Sequence, residues 1–334
     1  MFEHDNDVVL SSRVRLARNI KDIPFPSIMK DSDAENVIDI VKKAVYSNEI
    51  LSAQFIEYDM KNINPIERQS LVERHLISPD LAQNTKNGYA LIKKDNTVSI
   101  LINEEDHLRI QTIMKGLNIK EAWNVADKID DLLEENINYA YNEKIGYLTS
   151  CPTNVGTGIR ASVMVHLPAL SITGQIGNIL NSVVKIGIAV RGMYGEGTQS
   201  LGDIYQLSNQ VTLGQREIEI IENLEGVVKQ IINNERKARN DLFTIRRVQM
   251  EDRVGRAYGL ISNARVLSTQ EYMKLMSDVR LGAVLKIIDI DIKEIDELTT
   301  NIQPGNLQKI LGKQIDPYER DIKRAEYVVQ KIKG

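Results

Sequence analysis

The stretch GYLTSCPTNVGTGIRASVMVHLP, from Gly146 to Pro168, joins a turn-rich loop to an apolar segment. It contains Cys151, the single cysteine of the 334-residue chain, and two glycines that flank Thr157. Backbone N–H groups in glycine turns form anion-binding concavities, and the fork of Arg160 matches phosphate oxygens. The stretch therefore predicts a loop that holds an anion, followed by a buried strand.

The surrounding region carries no acidic residue, because no Asp or Glu occurs between Glu143 and Glu196. It carries Arg160, Lys185 and Arg191 instead, and glycines cluster just after Arg191. A segment with cations, flexible backbone and no carboxylates favours an anionic ligand such as a phosphate group.

The run GTGIRA, from Gly156 to Ala161, also fits the dinucleotide-binding pattern G-x-G-x-x-A. We reject that interpretation, because the preceding TSCPTNV is polar and contains a proline, which makes it a poor core strand. The ribose-binding acid expected about 20 residues further on is also missing. The P-loop pattern and the H-R-D and D-F-G motifs of ordinary protein kinases do not occur.

The composition, with 42% hydrophobic and 26% charged residues, is typical of a soluble globular protein. A net charge of −4 argues against nucleic-acid binding through overall charge. One cysteine excludes an internal disulfide and fits a reducing compartment. The start MFEHDNDVVL lacks the features of a signal peptide, and no apolar run approaches the roughly 18 residues that span a bilayer. We expect a cytoplasmic protein with no membrane partner and no direct nucleic-acid partner.

Periodicity divides the chain into a mixed region and a helical region. The run GYALIKKDNTVSILIN predicts a β-hairpin, HLRIQTIMKGLN a helix, and SVMVHL and VVKIGIAV two buried strands. From Gln215 onward helical periods prevail, with a capping box at Ser268 and Glu271 and a helix start at Asp316 and Pro317. We expect an α+β domain over residues 1–240 and a smaller all-helical C-terminal domain over residues 241–334.

Two charged motifs precede the glycine loop. In SSRVRLARN, Arg13 and Arg15 point to the same face of an extended chain. Their guanidinium groups repel each other unless an anion lies between them, and the alternative is a solvated surface strand. In NEEDHLRI, three acids from Glu104 to Asp106 precede Arg109; alone, this motif fits an acidic helix N-terminus.

Taken in order, SSRVRLARN, NEEDHLRI, CPTNVGTGIRASV and VRGMYGEGT resemble the phosphagen (guanidino) kinases, which include the arginine and creatine kinases. The resemblance extends from about residue 8 to about residue 240. It implies an antiparallel sheet flanked by helices, and transfer of the γ-phosphoryl group of Mg-ATP to a guanidinium nitrogen. No carboxylate cluster in these motifs suits an all-protein metal cage, so we expect Mg²⁺ to be held mainly by the nucleotide and water.

By motif position, the resemblance implies two sets of site residues. The implied ATP-binding residues are Ser12, Arg13, Arg15, His75, Arg109, Arg160, Ala161, Ser162, Val163, Met164, Arg191 and Gly192. The implied catalytic residues are Glu105, Glu196 and Cys151. Two carboxylates would align the guanidinium and remove its proton, and we favour Glu105 as the base. Met164 replaces a histidine of the family, which affects the adenine contact rather than the chemistry.

The position of the S-x-R-x-R motif, at Ser11, leaves no room for the helical domain that phosphagen kinases carry before it. This arrangement resembles the bacterial protein-arginine kinases, whose C-terminal domain binds phosphoarginine through an R-D-x-x-R-A motif. Here the motif is RDIKRA, comprising Arg320, Asp321, Arg324 and Ala325. Two arginines four apart share a helix face and could clamp one phosphate, although an exposed charged helix would show the same pattern.

The resemblance implies an ATP-dependent kinase of protein arginines, with a role in stress response and protein quality control. It also implies an activator protein and a Clp protease as partners, and we expect self-association through the C-terminal domain. Three alternatives stay open: a free-arginine kinase, a phosphoarginine-reading adaptor with little catalysis, and a guanidine-modifying hydrolase with Cys151 as nucleophile.

Overall fold

The computed structural model describes residues 3–47, 52–192 and 200–333. The helices in this part of the chain are α1 (Asp31–Tyr46), α2 (Pro65–Glu73), α3 (Pro79–Gln83), α4 (Ile119–Glu134), α5 (Pro168–Ile172), α6 (Ile176–Lys185), α7 (Glu217–Ile245), α8 (Arg247–Asn263), α9 (Thr269–Val284), α10 (Ile292–Asn301), α11 (Pro304–Leu311) and α12 (Pro317–Lys333). The strands are β1 (Val9–Arg18), β2 (Phe55–Asp59), β3 (Tyr89–Lys93), β4 (Val98–Ile102), β5 (Leu108–Lys115), β6 (Tyr141–Asn142), β7 (Gly146–Tyr147), β8 (Ile159–His166), β9 (Ile188–Gly192) and β10 (Ile204–Asn209).

Eight of these strands form one sheet in the order β2-β3-β4-β5-β1-β8-β10-β9. The pairs β2–β3, β3–β4, β4–β5 and β1–β5 are antiparallel, and Arg15 lies directly opposite Gln111 in the last of them. Helices flank the sheet, and only helices follow β10 in the described chain. The predicted α+β fold, with an antiparallel sheet and a helical C-terminal region, is confirmed.

The described chain divides into two compact units, each with its own core. One unit comprises residues 11–163 and 208–226, which include β2 to β7 and most of β1 and β8. One of its apolar clusters forms where α2 and α3 pack on the sheet, and Met60, Leu71, Leu81, Ile92 and Leu101 are buried in it. Because burial of apolar side chains is the main favourable term in folding, this cluster holds α2 and α3 against β3 and β4.

The other unit comprises residues 1–10, 164–207 and 227–334. Its core includes Ile261, Tyr272, Val279, Ile302 and Val328, contributed by α8, α9, α12 and the residue after α10. The helical C-terminal region therefore packs together with earlier segments of the chain, and α7 runs through residue 240 without interruption. The predicted division at residue 240 stays a prediction.

The segment HLRIQTIMKGLN is a strand, so the helix predicted there is wrong. Strand β5 pairs with β4 on one side and with β1 on the other, and Gly116 ends it with a φ of 64°. The residues Ile110, Thr112 and Ile113 are β-branched, which suits a pleated sheet. Pairing on both edges therefore outweighs the helical spacing of the apolar residues.

Other local predictions fare differently. The hairpin β3–β4 is confirmed, with Asn96 in the left-handed region of its turn. The Ser268 side chain accepts a hydrogen bond from the Glu271 N–H at the start of α9, and Asp316 caps α12. The strand predicted over VVKIGIAV is wrong for its first half, because VVK forms the end of α6. It is correct for IAV, which begins β9.

Among the residues that the structure describes, no helix combines the length and apolar character needed to cross a membrane.

Candidate active site

Strand β1 separates its side chains onto two faces. Ser12, Val14 and Leu16 are buried, whereas Arg13 and Arg15, which alternate with them, keep some exposure. This is the period of two expected of a strand with one face on a core. The two predicted phosphate-binding arginines therefore project from the same face of the sheet.

Neighbouring strands extend this arginine face. In β5, Arg109 lies opposite Ala17 of β1, and residues directly opposite each other in a ladder share a face. In β8, the Ser162 hydroxyl lies 3.5 Å from the Arg13 Nε, and Arg160 is two residues earlier on the same face. Three segments far apart in sequence thus bring Arg13, Arg15, Arg109 and Arg160 together.

The electrostatics of this arginine cluster favour an anion. Burial and the nearby Arg109 lower the pKa of Arg13 to about 10. Burial, followed by the charges of Arg13, Arg109 and Arg160, holds the pKa of Arg15 well below its ordinary value. The Arg15 Nε is buried and has no hydrogen-bond partner in the part of the chain that is described. Like charges this close destabilise one another, so a polyanion bound among them would be strongly stabilised.

The acidic motif NEEDHLRI forms the turn between β4 and β5, so its interpretation as a helix N-terminus is wrong. The Arg109 guanidinium donates 2.7 Å to Glu104 Oε1 and 3.1 Å to Glu105 Oε2. The Glu104 side chain is only 2% exposed, and burial raises its pKa despite the charge of Arg109, whereas the Glu105 side chain is 44% exposed. Glu105 is therefore open to an acceptor, and Glu104 orients Arg109.

Two asparagines hold Arg160 at the start of β8. Its Nη1 donates to the Asn209 carbonyl at 3.2 Å, and its Nη2 donates to Asn154 Oδ1 at 3.1 Å. The Asn209 side chain also accepts from the Ala161 N–H and donates to the Ile159 carbonyl, so it fixes the strand on both sides of Arg160.

Sequence reasoning missed these two asparagines and the role of Glu104. Asn154 lies inside the glycine-loop motif, and Glu104 lies beside the predicted base, so both positions were visible in the motifs. Asn209 lies about 50 residues from Arg160, and nothing in its own segment marks it.

Cys151 precedes the short 3₁₀ turn Pro152–Asn154 and is partly buried. Its Sγ lies 3.0 Å from the Thr153 hydroxyl, and its carbonyl accepts from the Thr149 hydroxyl at 2.8 Å. The Thr212 hydroxyl donates to the carbonyls of Thr153 and Val155, so this loop is braced from a distant part of the sequence.

His75 follows α2 in the left-handed region, with a φ of 59°. Its carbonyl accepts from Gln111 Nε2 at 2.7 Å. Burial, together with the charges of Arg13 and Arg15, lowers the His75 pKa to about 4, so the imidazole is neutral near pH 7. A neutral ring beside the arginine cluster suits contact with a flat, uncharged group.

The remaining predicted ATP-binding residues occupy varied positions. The Ser12 hydroxyl is buried, donates to the Gly116 carbonyl and accepts from the Asn118 N–H. Ala161 and Val163 lie on the face of β8 opposite Arg160, and their side chains are fully buried, so the backbone is what they could offer a ligand. Met164 belongs to the unit of residues 1–10, 164–207 and 227–334, and it packs against the core of that unit.

At the end of β9, Arg191 is exposed and Gly192 is buried. The predicted catalytic Glu196 lies outside the described residues, as does the rest of 193–199. In the described chain, no three His, Cys, Asp or Glu side chains converge as they would to hold a metal ion.

The motif RDIKRA lies in α12, where its two arginines differ in exposure. Arg324 is fully buried and donates to the carbonyls of Ile302 and Leu267 at 3.0 and 2.8 Å, and it also pairs with Asp321. Arg320 is partly exposed, and its buried Nε has no hydrogen-bond partner among the described residues. Ala325, like Arg324, is buried. Arg324 thus braces three segments, and Arg320 is the arginine more open to a ligand.

Two family models cover most of the chain. The model described as "ATP:guanido phosphotransferase, C-terminal catalytic domain" matches residues 36–238. The model described as "Protein-arginine kinase McsB C-terminal domain" matches residues 247–334.

Similar proteins and structures agree with these models. A protein-arginine kinase from Caldanaerobacter subterraneus subsp. tengcongensis is 70% identical over 329 residues, which is 98% of each chain. A second, from Pelotomaculum thermopropionicum, is 48% identical over 325 residues, 96% of this chain and 91% of the relative. The structure of a lombricine kinase matches with a TM-score of 0.61 and 27% identity over 71% of this chain and 68% of that chain. The chain therefore belongs to the ATP:guanido phosphotransferase family and, within it, to the protein-arginine kinases.

Proposed function

We propose that this chain transfers the γ-phosphoryl group of ATP to arginine side chains of proteins. The observation that carries the proposal is the arginine cluster of Arg13, Arg15, Arg109 and Arg160 on one face of the sheet. Four guanidinium groups of like charge on one face are complementary to a triphosphate, whose negative charge would relieve their mutual repulsion. The partly exposed Glu105 beside them supplies a carboxylate for the acceptor.

The nucleotide's phosphates would be bound by the arginine cluster, with the unpaired Nε of Arg15 as one donor. Arg109 is preorganised by Glu104, so little reorganisation is needed when charge develops on the transferring group. The His75 ring would lie against the adenine ring of the nucleotide. Ser162 would add a hydroxyl beside Arg13. The family resemblance also assigns Arg191 and Gly192 to the nucleotide-binding residues.

The acceptor arginine is a poor nucleophile, because its guanidinium stays protonated at neutral pH. Glu105 would hold two N–H groups, fix the guanidinium plane and accept one proton. The freed nitrogen lone pair then forms the N–P bond while the bond from phosphorus to the bridging oxygen breaks and ADP leaves. Glu196 would be the second aligning carboxylate, and Cys151 would contact the guanidinium from the glycine loop. Most of the rate gain comes from alignment and charge stabilisation.

Mg²⁺ belongs to this proposal as a companion of the nucleotide. The ion prefers octahedral coordination by oxygen. In kinases it is commonly bound by one or two carboxylates, substrate phosphates and water. Its contribution would be neutralisation of charge on the phosphates that the arginine cluster binds.

The proposal also covers the C-terminal region and the cellular setting. Arg320 and Asp321 would contact phosphoarginine while Arg324 and Ala325 support them, which is in keeping with their exposure in α12. We place the enzyme in the cytoplasm, as a self-associating kinase in stress response and protein quality control. Protein substrates with exposed arginines, an activator protein and a Clp protease would be its partners. The family resemblance supports these points.

The experiment is a comparison of Glu105→Gln with Glu143→Gln, an exposed glutamate outside the cluster. Both variants are given Mg-ATP and an arginine-rich unfolded protein, and acid-labile phosphate on the protein is measured. We expect Glu105→Gln to lose at least about 100-fold in kcat, the low end of a general-base contribution, with Glu143→Gln unchanged. Equal turnover of both variants would remove Glu105 from the proposal.

A further inference from the structure

A buried asparagine and a buried aspartate bond to each other between β1 and the acidic turn. Asn19 follows β1, and Asp106 lies in the turn between β4 and β5. Each residue is only 1% exposed. The Asn19 Nδ2 donates to Asp106 Oδ1 at 2.7 Å, and the Asn19 Oδ1 accepts from the His107 N–H at 2.9 Å. Neither Asn19 nor Asp106 has a role in the phosphoryl transfer as proposed.

The same Asp106 oxygen also binds the loop that carries the cysteine. Asp106 Oδ1 accepts from the Ser150 N–H at 2.7 Å. Asp106 is the chain neighbour of Glu105, and Ser150 is the chain neighbour of Cys151. One oxygen atom therefore joins the two segments that would present a carboxylate and a thiol to the acceptor.

The acidic turn is closed on itself by backbone hydrogen bonds. The Asn103 N–H donates to the His107 carbonyl at 3.0 Å, and the Glu104 N–H donates to the Asp106 carbonyl at 3.2 Å. Asn103 has a φ of 58°, a left-handed conformation that asparagine tolerates. The turn is thus a single closed unit, and it transmits the position of Asp106 to Glu105.

The segment before the cysteine is held by Asn19 in the same way. The Leu148 carbonyl accepts from Asn19 Nδ2 at 3.1 Å, and the Leu148 N–H donates to the Ala140 carbonyl at 2.8 Å. The Ala140 N–H in turn donates to the Asn19 carbonyl at 2.7 Å. Asn19 therefore fixes the chain two residues before Ser150, where the bond to Asp106 is made.

The buried carboxylate of Asp106 opposes folding, because a charge leaves water there. Its Oδ2 is buried and has no hydrogen-bond partner within the ranges that the structure describes. The two N–H groups that Oδ1 accepts offset part of this cost. In an enzyme site, a misplacement of about 1 Å can lower the rate about 100-fold. A group that sets the distance between two segments of such a site meets that demand.

We infer that Asp106, held by Asn19, is a positioning residue that fixes Glu105 and Cys151 relative to each other, so that both meet the same acceptor guanidinium. Its buried side chain acts through the backbone on either side rather than by contact with the substrate. The inference rests on the proposed function, because it concerns the geometry of the same acceptor site.

The test compares Asp106→Ala, which removes the shared acceptor oxygen, with Asp106→Asn, which retains an oxygen of the same position. With Mg-ATP and an arginine-containing peptide, Asp106→Ala should lose about 100-fold in kcat/KM for the peptide. Its KM for ATP should stay within about twofold of the wild type, because the arginine cluster is not bonded to Asp106. Asp106→Asn should stay within about threefold of the wild type in kcat/KM, because the hydrogen bonds at Oδ1 are kept.

Thr112→Ala is the control for lost stability. It removes a buried hydrogen bond of 2.6 Å to the Ala122 carbonyl, on the face of β5 opposite Arg109, and its kinetics should match those of the wild type. Asn19→Ala releases the same contact from the other side and should show the same loss as Asp106→Ala. It decides the inference if Asp106→Ala does not fold.

A double-mutant cycle with Cys151→Ser separates positioning from a general weakening of the fold. Cys151→Ser should lower kcat about tenfold in the wild type but less than about twofold in Asp106→Ala, because the thiol is already misplaced there. Independent effects of the two substitutions would overturn the inference, and so would wild-type kinetics of Cys151→Ser. Equal losses in Asp106→Ala and Asp106→Asn, or no loss in either, would overturn it as well. The proposed function would stand in each case.

A wild-type protein that transfers no phosphate to the peptide would contradict the proposed function instead, and alkylation of Cys151 by iodoacetamide then decides the inference. Asp106→Ala should react at least about fivefold faster than the wild type and Thr112→Ala, because the released loop exposes the partly buried thiol. Equal alkylation rates in all three proteins would show that Asp106 does not hold the loop.

Discussion

Arg15 is the residue at which stability and function oppose each other most clearly. Its charge is buried among those of Arg13, Arg109 and Arg160, and its Nε has no partner in the described chain. A group whose charged form is disfavoured in the folded state costs folding free energy until a counter-charge arrives. The free enzyme therefore bears a cost at this position that bound nucleotide removes.

Arg15→Met should accordingly raise the Tm of the free protein and abolish its stabilisation by ATP. Wild-type protein at an ATP concentration of 100 Kd should gain about 2.7 kcal/mol, and the variant should gain almost nothing. Thermal unfolding with and without Mg-ATP measures both effects. Arg216→Met, at an exposed arginine paired with Glu219, is the control and should respond to ATP as the wild type does. A variant less stable than the wild type, with ATP stabilisation intact, would contradict the account.

His75 gives a prediction about pH, because its folded-state pKa of about 4 lies below the ordinary 6.5. Between these values the unfolded chain binds a proton that the folded chain does not, so this residue makes stability fall as pH drops from about 6.5 to 4. His75→Asn keeps a residue that tolerates a φ of 59° and removes the titration. The free energy of unfolding of the variant should fall less steeply over that window. Identical pH profiles for the two proteins would mean that His75 titrates normally.

Among the elements, the turn into β8 decides where Arg160 lies. Gly158 has a φ of 67°, its carbonyl accepts from the Ala17 N–H, and a Cβ there would lie 2.6 Å from the Ala17 carbonyl oxygen. The glycine is therefore required both by backbone conformation and by the approach of β1.

Gly158→Ala should cost at least about 1–2 kcal/mol of stability and should lower ATP affinity, because Arg160 is two residues away. Gly177→Ala is the matched control, because Gly177 lies in α6 and a Cβ added there would meet open space. This variant should be more stable than the wild type by up to about 1 kcal/mol. Urea unfolding measures the stabilities. Equal effects of the two substitutions would show that the turn adapts.

An element can be predicted from the sequence when neighbouring residues determine its secondary structure, and it cannot when pairing with a distant segment determines it. Arg13 and Arg15 could be placed on one face from the period of a strand, and Ser268 and Asp316 from capping chemistry. The strand β5 could not, because one of its partners, β1, is far away in sequence and its apolar spacing also fits a helix. For the same reason, no local pattern revealed that Asn209 holds Arg160, since that contact exists only once β10 and β8 are neighbours.

At the scale of the whole molecule, the C-terminal helices contain a motif whose two arginines have different tasks. Arg324 bonds two backbone carbonyls from other segments, whereas Arg320 is partly exposed. The sequence pattern treats them as equivalent members of one clamp, and only burial separates them.

Arg324→Met should therefore destabilise the protein by about 3 kcal/mol, because it removes a buried charge and leaves carbonyls and Asp321 unpaired. Arg320→Met should leave the Tm nearly unchanged and weaken binding of a phosphoarginine peptide at least about tenfold. Calorimetry and peptide binding separate the two effects. A strongly destabilised Arg320→Met or a fully stable Arg324→Met would reverse the assignment.

The central claim is that the arginine cluster and Glu105 phosphorylate arginine within proteins. The most direct test offers labelled Mg-ATP to the enzyme with an arginine-rich unfolded protein in one sample and free arginine in another, followed by an acid-lability test of the product. The account predicts acid-labile label on the protein, because a phosphoramidate hydrolyses in acid and a phosphoserine does not. Label on free arginine alone, or acid-stable label on the protein, would contradict it.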